Sequence, residues 1–178
     1  MAQLILISGG SRSGKSAFAQ QMAEDIPGDR LFIATCPRTD PEMEERIRLH
    51  IQARQGRDWQ SVEEPLHPEQ IFSSCAPDTT LLLDCLTLWV NNVMYDREKS
   101  EKEVDESYIA VLAEKLAQAA LDYPGTVIMV TGEVGLGIVP DNPLARRYRD
   151  LVGQCNQVVA SYADEVYLVS CGIPIQIK

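Results

Sequence analysis

Short, unbroken apolar runs recur along the chain: Leu4-Ile5-Leu6-Ile7, Leu31 to Thr35, Thr80 to Asp84, Thr126 to Thr131 and Glu165 to Val169. Each has the length of a strand. Runs that are apolar at every position, such as Leu81-Leu82-Leu83 and Val127-Ile128-Met129-Val130, fit strands covered on both faces. The segments between them carry the helical period, so the order is βαβα, which predicts an α/β fold with a mostly parallel sheet and helices on both faces. The closing run Ile173-Pro174-Ile175-Gln176-Ile177 alternates instead. It follows Cys171-Gly172 after a gap too short for a crossover helix, which predicts an antiparallel C-terminal edge strand, a position that suits Pro174.

The helical pattern resolves into several segments. Ala17 to Ala23 follows the first run. Asp40-Pro41-Glu42 is a start signal, with Asp as cap, Pro at the first helical position and acid in the first turn. It predicts a helix from Met43 to about Arg54, with Met43, Ile47 and Ile51 on its apolar stripe and His50 at the margin. A helix is also expected near Leu86. Glu103 to Leu121 reads as a second long helix with apolar positions Val104, Ile109, Leu112, Leu116 and Ala119 or Ala120, and Pro143 to Tyr162 begins after Asn142 as cap. Asp96 to Lys102 reads as a charged, solvated connection. No repeat or linker interrupts the pattern, so residues 1–178 read as a single domain.

Composition narrows the classes. Of 178 residues, 45% are hydrophobic and 24% charged, the usage of an ordinary globular chain. The formal net charge of −10 argues against a general nucleic-acid surface, which needs clustered Lys and Arg. No stretch has membrane-spanning length, and no signal-peptide profile precedes the first run. Five cysteines form no C-x-x-C pair, and the two histidines lack zinc-site spacing. Reduced thiols, mostly buried, in a cytosolic protein are the expectation.

Candidate chemistry begins at Gly9-Gly10-Ser11-Arg12-Ser13-Gly14-Lys15-Ser16, a G-x-x-x-x-G-K-S phosphate loop between a strand and a helix. Its glycines let several backbone N–H groups point at a phosphate, and the helix N-terminus adds partial positive charge. Lys15 is placed to reach the terminal phosphates of a nucleoside triphosphate and the Ser16 hydroxyl to ligate Mg²⁺. Asp84, at the carboxyl end of an apolar strand, is the candidate second Mg²⁺ ligand; capping the helix near Leu86 is its alternative role.

His50 stands among Arg46, Arg48, Arg54 and Arg57, with Arg46 and Arg54 one turn to either side on its own face. A neutral imidazole there is able to attack a nucleotide phosphorus while guanidinium groups hold the oxygens. A solvated basic face paired with Glu42, Glu44 and Glu45 explains the same residues equally well. Gly132 to Asn142 follows a predicted central strand and reads as a substrate-side loop. Arg146, Arg147 and Arg149 beyond it are either acceptor contacts or a solvated helix face.

Together these residues resemble the bifunctional adenosylcobinamide kinase/adenosylcobinamide-phosphate guanylyltransferase family of cobalamin biosynthesis. The resemblance spans nearly the whole chain. It rests on the phosphate loop, Phe32-Ile33-Ala34-Thr35, Glu42-Met43 leading to Arg46-Ile47-Arg48-Leu49-His50, Trp59 with Val62-Glu63-Glu64-Pro65, Leu83-Asp84-Cys85-Leu86-Thr87, Gly132 to Pro140, and Ala163 to Val169. It implies a RecA-like P-loop NTPase fold and two reactions. ATP or GTP phosphorylates the aminopropanol hydroxyl of adenosylcobinamide; GTP then donates GMP to that phosphate through a GMP-histidine, here at His50. It further implies nucleotide contacts at Gly9 to Ser16, Ala34, Thr35, Cys36, Ile51, Gln52, Ala53, Arg54, Glu63 and Asp84, and a homotrimer with sites near subunit boundaries.

The chain departs from the family pattern twice. Leu49 stands where relatives often carry a second histidine, and the stretch from His50 to Trp59 is one residue longer, which leaves open whether Arg54 or Arg57 holds the nucleotide phosphate. A plain metabolite kinase with His50 as bystander, and a nucleotide-gated binding protein, are the rival readings.

Overall fold

A computed structural model describes residues 2–36, 48, 52, 54 and 56–178. Within these lie the strands β1 (Gln3–Gly9), β2 (Arg30–Ala34), β3 (Trp59–Glu63), β4 (Thr80–Asp84), β5 (Thr126–Gly132), β6 (Glu165–Ser170) and β7 (Ile173–Gln176). The helices are α1 (Lys15–Asp25), α2 (Glu69–Phe72), α3 (Leu86–Lys99), α4 (Glu106–Asp122) and α5 (Pro143–Tyr162). All seven strands join one sheet in the order β3-β2-β4-β5-β1-β6-β7. Every pairing is parallel except the β6–β7 hairpin, as the alternating final run predicts.

Strand periodicity divides the core cleanly. Leu4, Leu6, Leu81, Leu83, Val127 and Met129 point to one face, where they meet Trp89 and Val90 of α3, Ile109 and Leu116 of α4, and Leu151 and Val159 of α5. Ile5, Ile7, Leu82, Ile128 and Val130, one residue out of phase, point to the other face against Ala19 and Ala23 of α1. Full burial of each large side chain contributes about 1.5–3 kcal/mol. A strand buried on both faces must be apolar throughout, which is why the central strands are continuous runs.

Three boundaries differ from the sequence pattern. β3 is not among the apolar runs, because it lies at the edge of the sheet with Gln60, Ser61 and Glu63 exposed. The charged segment from Asp96 to Lys99 is the last turn of α3, not a connection. Its aromatic stacking accounts for this: the Arg97 guanidinium lies 4.3 Å from the Tyr108 ring and Lys99 Nζ 4.3 Å from the Tyr95 ring. Val104 precedes α4, which starts only after the Asp105 carboxylate accepts the Tyr108 N–H at 2.7 Å. Asn142 caps α5 as expected, accepting from Leu144 and Ala145 N–H at 2.8 and 3.2 Å.

Candidate nucleotide site

The phosphate loop turns on residues with little steric choice. Gly14 caps α1 at φ 95°, in the left-handed region, and a Cβ there would lie 3.1 Å from the Gly172 Cα. A Cβ on Gly9 would lie 2.6 Å from the Val169 carbonyl oxygen, so β6 forms a wall behind the loop. The Gly172 N–H, in the β6–β7 turn, donates to the Ser13 carbonyl at 2.8 Å. The loop is therefore braced from behind by the C-terminal hairpin. Lys15 Nζ arches over it and donates to the Gly10 carbonyl at 3.1 Å. The first N–H groups of α1 have no acceptor within the helix and carry its positive end.

The parallel strands bring the other candidates to the same edge. Glu63, Ala34 and Asp84 stand in one register row across β3, β2 and β4. Asp84 continues through Val130 to Ile7, two residues before Gly9. The chain leaves β1 toward β2 on one side and passes from β5 to β6 on the other, which opens a crevice at the carboxyl ends, where ligands of such sheets bind. The charges converge there too. Burial pushes the Cys85 thiol up to about 11, and the neighbouring Asp84 charge adds to this, while hydrogen bonds from Leu88 and Thr87 and the Lys15 charge oppose it. Asp84 and Lys15 thus share one electrostatic neighbourhood, and α3 takes Cys85, not Asp84, as its cap position.

Arg54 is 6% exposed, with its guanidinium carbon 3.5 Å from the centre of the Phe32 ring. Burial lowers its affinity for the proton, and the Asp84 charge partly restores it. Its Nε, like the Ser13 hydroxyl, is buried without a hydrogen-bond partner among the described residues. Buried polar groups are ordinarily satisfied, so both are suited to a ligand's oxygens. Arg57 lies elsewhere: its Nη1 pairs with Glu24 Oε2 at 3.0 Å, near the far end of α1 from the phosphate loop. Burial would raise the Glu24 carboxyl, but hydrogen bonds from Gln20 and Trp59 and the Arg57 charge bring it below the ordinary value.

Thr35, a predicted nucleotide contact, is fully buried as a staple between strand ends. Its hydroxyl donates to the Cys85 carbonyl at 2.7 Å and accepts the Cys85 N–H at 2.8 Å, and its own carbonyl accepts from Asn92 Nδ2 at 2.7 Å. Cys36 follows it half-buried, Gln52 is exposed, and His50, Ile51 and Ala53 lie outside the described residues. The five cysteines form no disulfide; Cys155 is buried and Cys171 exposed. Arg146 and Arg147 are occupied structurally, Arg146 on the Pro140 and Asp141 carbonyls and Arg147 on that of Val104. Asn92 and Gly172 carry no sequence signal for their roles, because each acts through a contact with a distant strand end or loop.

Fold and loop together define a P-loop nucleotide-binding protein of the α/β class. Among solved structures, the chain is similar to an ATPase of a bacterial type III secretion system, with a TM-score of 0.64 at 16% identity, covering 99% of this chain and 57% of that one. It is also similar to a KaiC-like protein from Pyrococcus horikoshii, with a TM-score of 0.51 at 16% identity over 94% of this chain and 70% of that one. Residues 5–177 match the family model of cobinamide kinase / cobinamide phosphate guanyltransferase, CobU. Bifunctional adenosylcobalamin biosynthesis proteins CobU of Salmonella typhimurium and Escherichia coli are 40% and 41% identical, each over 98% of this chain and 99% of the relative. CobP of Pseudomonas aeruginosa is 35% identical over 97% and 96%. The chain belongs to the cobinamide kinase / cobinamide phosphate guanyltransferase family. It is a transferase of cobalamin biosynthesis, with kinase and nucleotidyltransferase activities.

Proposed function

We propose that this protein carries out two successive transfers on one corrinoid. In the first, the aminopropanol hydroxyl of adenosylcobinamide attacks the γ-phosphorus of ATP or GTP, and the nucleoside diphosphate leaves. In the second, a His50 ring nitrogen attacks the α-phosphorus of GTP and releases pyrophosphate. The adenosylcobinamide phosphate then takes GMP from the histidine, giving adenosylcobinamide-GDP. The match to the family over residues 5–177 is the observation that carries this reading.

The residues have separable parts in it. Backbone N–H groups from Gly9 to Ser16 cradle the phosphates, and Lys15 leaves its Gly10 carbonyl to neutralise the charge on the transferring group. Arg54, rather than Arg57, holds a phosphate oxygen, since Arg57 is engaged by Glu24. Thr35 keeps the end of β4 in place and so positions Asp84. Ala34, Cys36, Ile51, Gln52, Ala53 and Glu63 complete the nucleotide contacts.

Ser16 and Asp84 offer a hydroxyl and a carboxylate, hard oxygen donors that suit Mg²⁺. Among the described residues no three His, Cys, Asp or Glu side chains cluster into a cage. That fits an ion that arrives with the triphosphate and takes most of its ligands from phosphate and water. Bound there, Mg²⁺ would neutralise charge on the phosphate oxygens. We take the chain as one nucleotide-binding domain of a cytosolic homotrimer. No described helix is long and apolar enough to cross a membrane.

Incubation with α-labelled GTP tests the second transfer. The wild type is expected to carry an acid-labile, alkali-stable GMP adduct that His50→Ala loses. A wild type without the adduct removes the guanylyl step and leaves a kinase.

A further inference from the structure

The loop between β5 and α5 leaves the sheet at the same edge as the phosphate loop, and it is held at both ends. At its start the Glu133 N–H donates to the Gly9 carbonyl at 3.0 Å, a direct bond to the phosphate loop, and the Glu133 carboxylate accepts the Gly135 N–H at 2.7 Å. At its end Arg146 Nη1 donates to the carbonyls of Pro140 and Asp141 at 3.0 and 2.7 Å. Between these anchors the chain displays hydrocarbon: Leu136 is 83% exposed, Ile138 96% and Val139 62%, with Leu144 exposed just beyond. Each of these side chains forgoes stabilisation that burial would contribute. Single exposed aliphatics need no explanation, but several together on an anchored loop mark a contact surface.

We propose that Leu136, Ile138 and Val139 form the docking surface for the corrinoid substrate, an inference that rests on the function proposed above. Two observations select this occupant. The first is position: the reacting hydroxyl must come to a phosphate held by Gly9 to Ser16, and the loop that carries this surface starts from Glu133, whose N–H is bonded to the Gly9 carbonyl. The second is charge. A corrin is a broad, methyl-rich disc with neutral amide arms, and in adenosylcobinamide the trivalent cobalt outweighs the charges of the ring and the alkyl ligand, leaving a cation. Residues 133–142 offer that cation hydrocarbon and two acids, Glu133 and Asp141, with no basic residue among them. A nucleotide, anionic and polar, has no reason to choose this loop over the basic phosphate cradle. The disc lies on the aliphatic tip while its hydroxyl arm reaches along the tether toward the phosphate.

Steady-state assays of the full-length protein with adenosylcobinamide and GTP test this. Ile138→Asp and Leu136→Asp are expected to raise the KM for adenosylcobinamide roughly tenfold or more, the worth of one buried aliphatic side chain. The KM for GTP and the corrinoid-free formation of the GMP adduct should stay at wild-type values. Val111→Asp, a comparably exposed site on α4 at 63%, is the control and should change neither. An unchanged corrinoid KM in both loop variants overturns the docking surface, even where the wild type makes adenosylcobinamide-GDP. A wild type that turns over no corrinoid overturns the functional reading and this inference together. Sedimentation velocity separates a third outcome: if Ile138→Asp breaks the assembly into smaller species, the surface joins copies of the chain and the inference also fails.

Discussion

Arg54 places a full charge where only 6% of the residue is exposed, and no atom of the described residues accepts from its Nε. Burying a guanidinium is costly unless something compensates, and here the compensation is the Phe32 ring on one side and the Asp84 charge nearby. An apolar side chain of similar length would fill the space without that cost. Arg54→Met is therefore expected to unfold at the same urea concentration or a higher one, while its Kd for GTP rises roughly tenfold. Calorimetric titration with GTP beside a urea melt checks both halves. Loss of stability with GTP affinity intact would make Arg54 a structural residue. The phosphate loop was legible in the sequence because its chemistry is local, a contiguous run in which each type has its own task. The different surroundings of Arg54 and Arg57 were not, since they depend on Glu24 beside one and Asp84 near the other, which spacing along a helix does not bring into view.

Elements meet at the crevice through a few backbone-directed bonds. Thr35 at the end of β2 exchanges two hydrogen bonds with Cys85 at the end of β4, and Asn92 of α3 reaches back to the Thr35 carbonyl. In the isosteric Thr35→Val, the Cys85 N–H and C=O lose this partner. The expected cost is about 1–3 kcal/mol in a urea melt, together with a lower kcat for both transfers as the Asp84 strand end loosens. A variant as stable and as active as wild type would show that the staple is redundant. The central strands and α5 with its Asn142 cap were readable because burial on both faces and helix capping each leave a mark in the residue pattern. The edge strand β3 and the last turn of α3 were not, as exposure lets edge residues be polar and the charged turn is held by ring contacts of Arg97 and Lys99.

At the scale of the molecule, the buried thiols and the Tyr148 phenol among the described residues point one way with pH. Burial pushes Cys85 up to about 11, Cys155 to about 12 and Tyr148 to about 12, with the neighbouring Asp84 charge adding to the shift of Cys85 and that of Cys85 to Tyr148. In the unfolded chain such thiols ionise near 9.0 and the phenol near 10.0. Above those values the unfolded state holds fewer protons than the folded one, so stability falls as pH rises. The contribution of these groups is complete below about pH 8 and is lost progressively toward about pH 12. The urea midpoint should drop between about pH 8 and pH 10.5, with a shallower decline in Cys155→Ala. An equal midpoint at both pH values would contradict the assignment. The α/β class and the hairpin edge were legible at this scale from the alternation of runs, whereas the strand order was not, because neighbours in the sheet are distant in the chain.

The hydrogen bond from Gly172 to Ser13 has a consequence in time as well as in space. A chain made from its N-terminus carries Gly9 to Ser16 before β6, but the wall and brace behind that loop come from β6 and the turn after it, which emerge only after β2, β3, β4 and β5. Until they arrive the loop has its internal bonds, such as that from Lys15 to the Gly10 carbonyl, but neither the wall nor the brace behind it. Nucleotide is therefore expected to bind the early part of the chain weakly. Tight nucleotide binding is expected only once the phosphate loop and the β6–β7 turn have met, so it becomes a reporter of that contact.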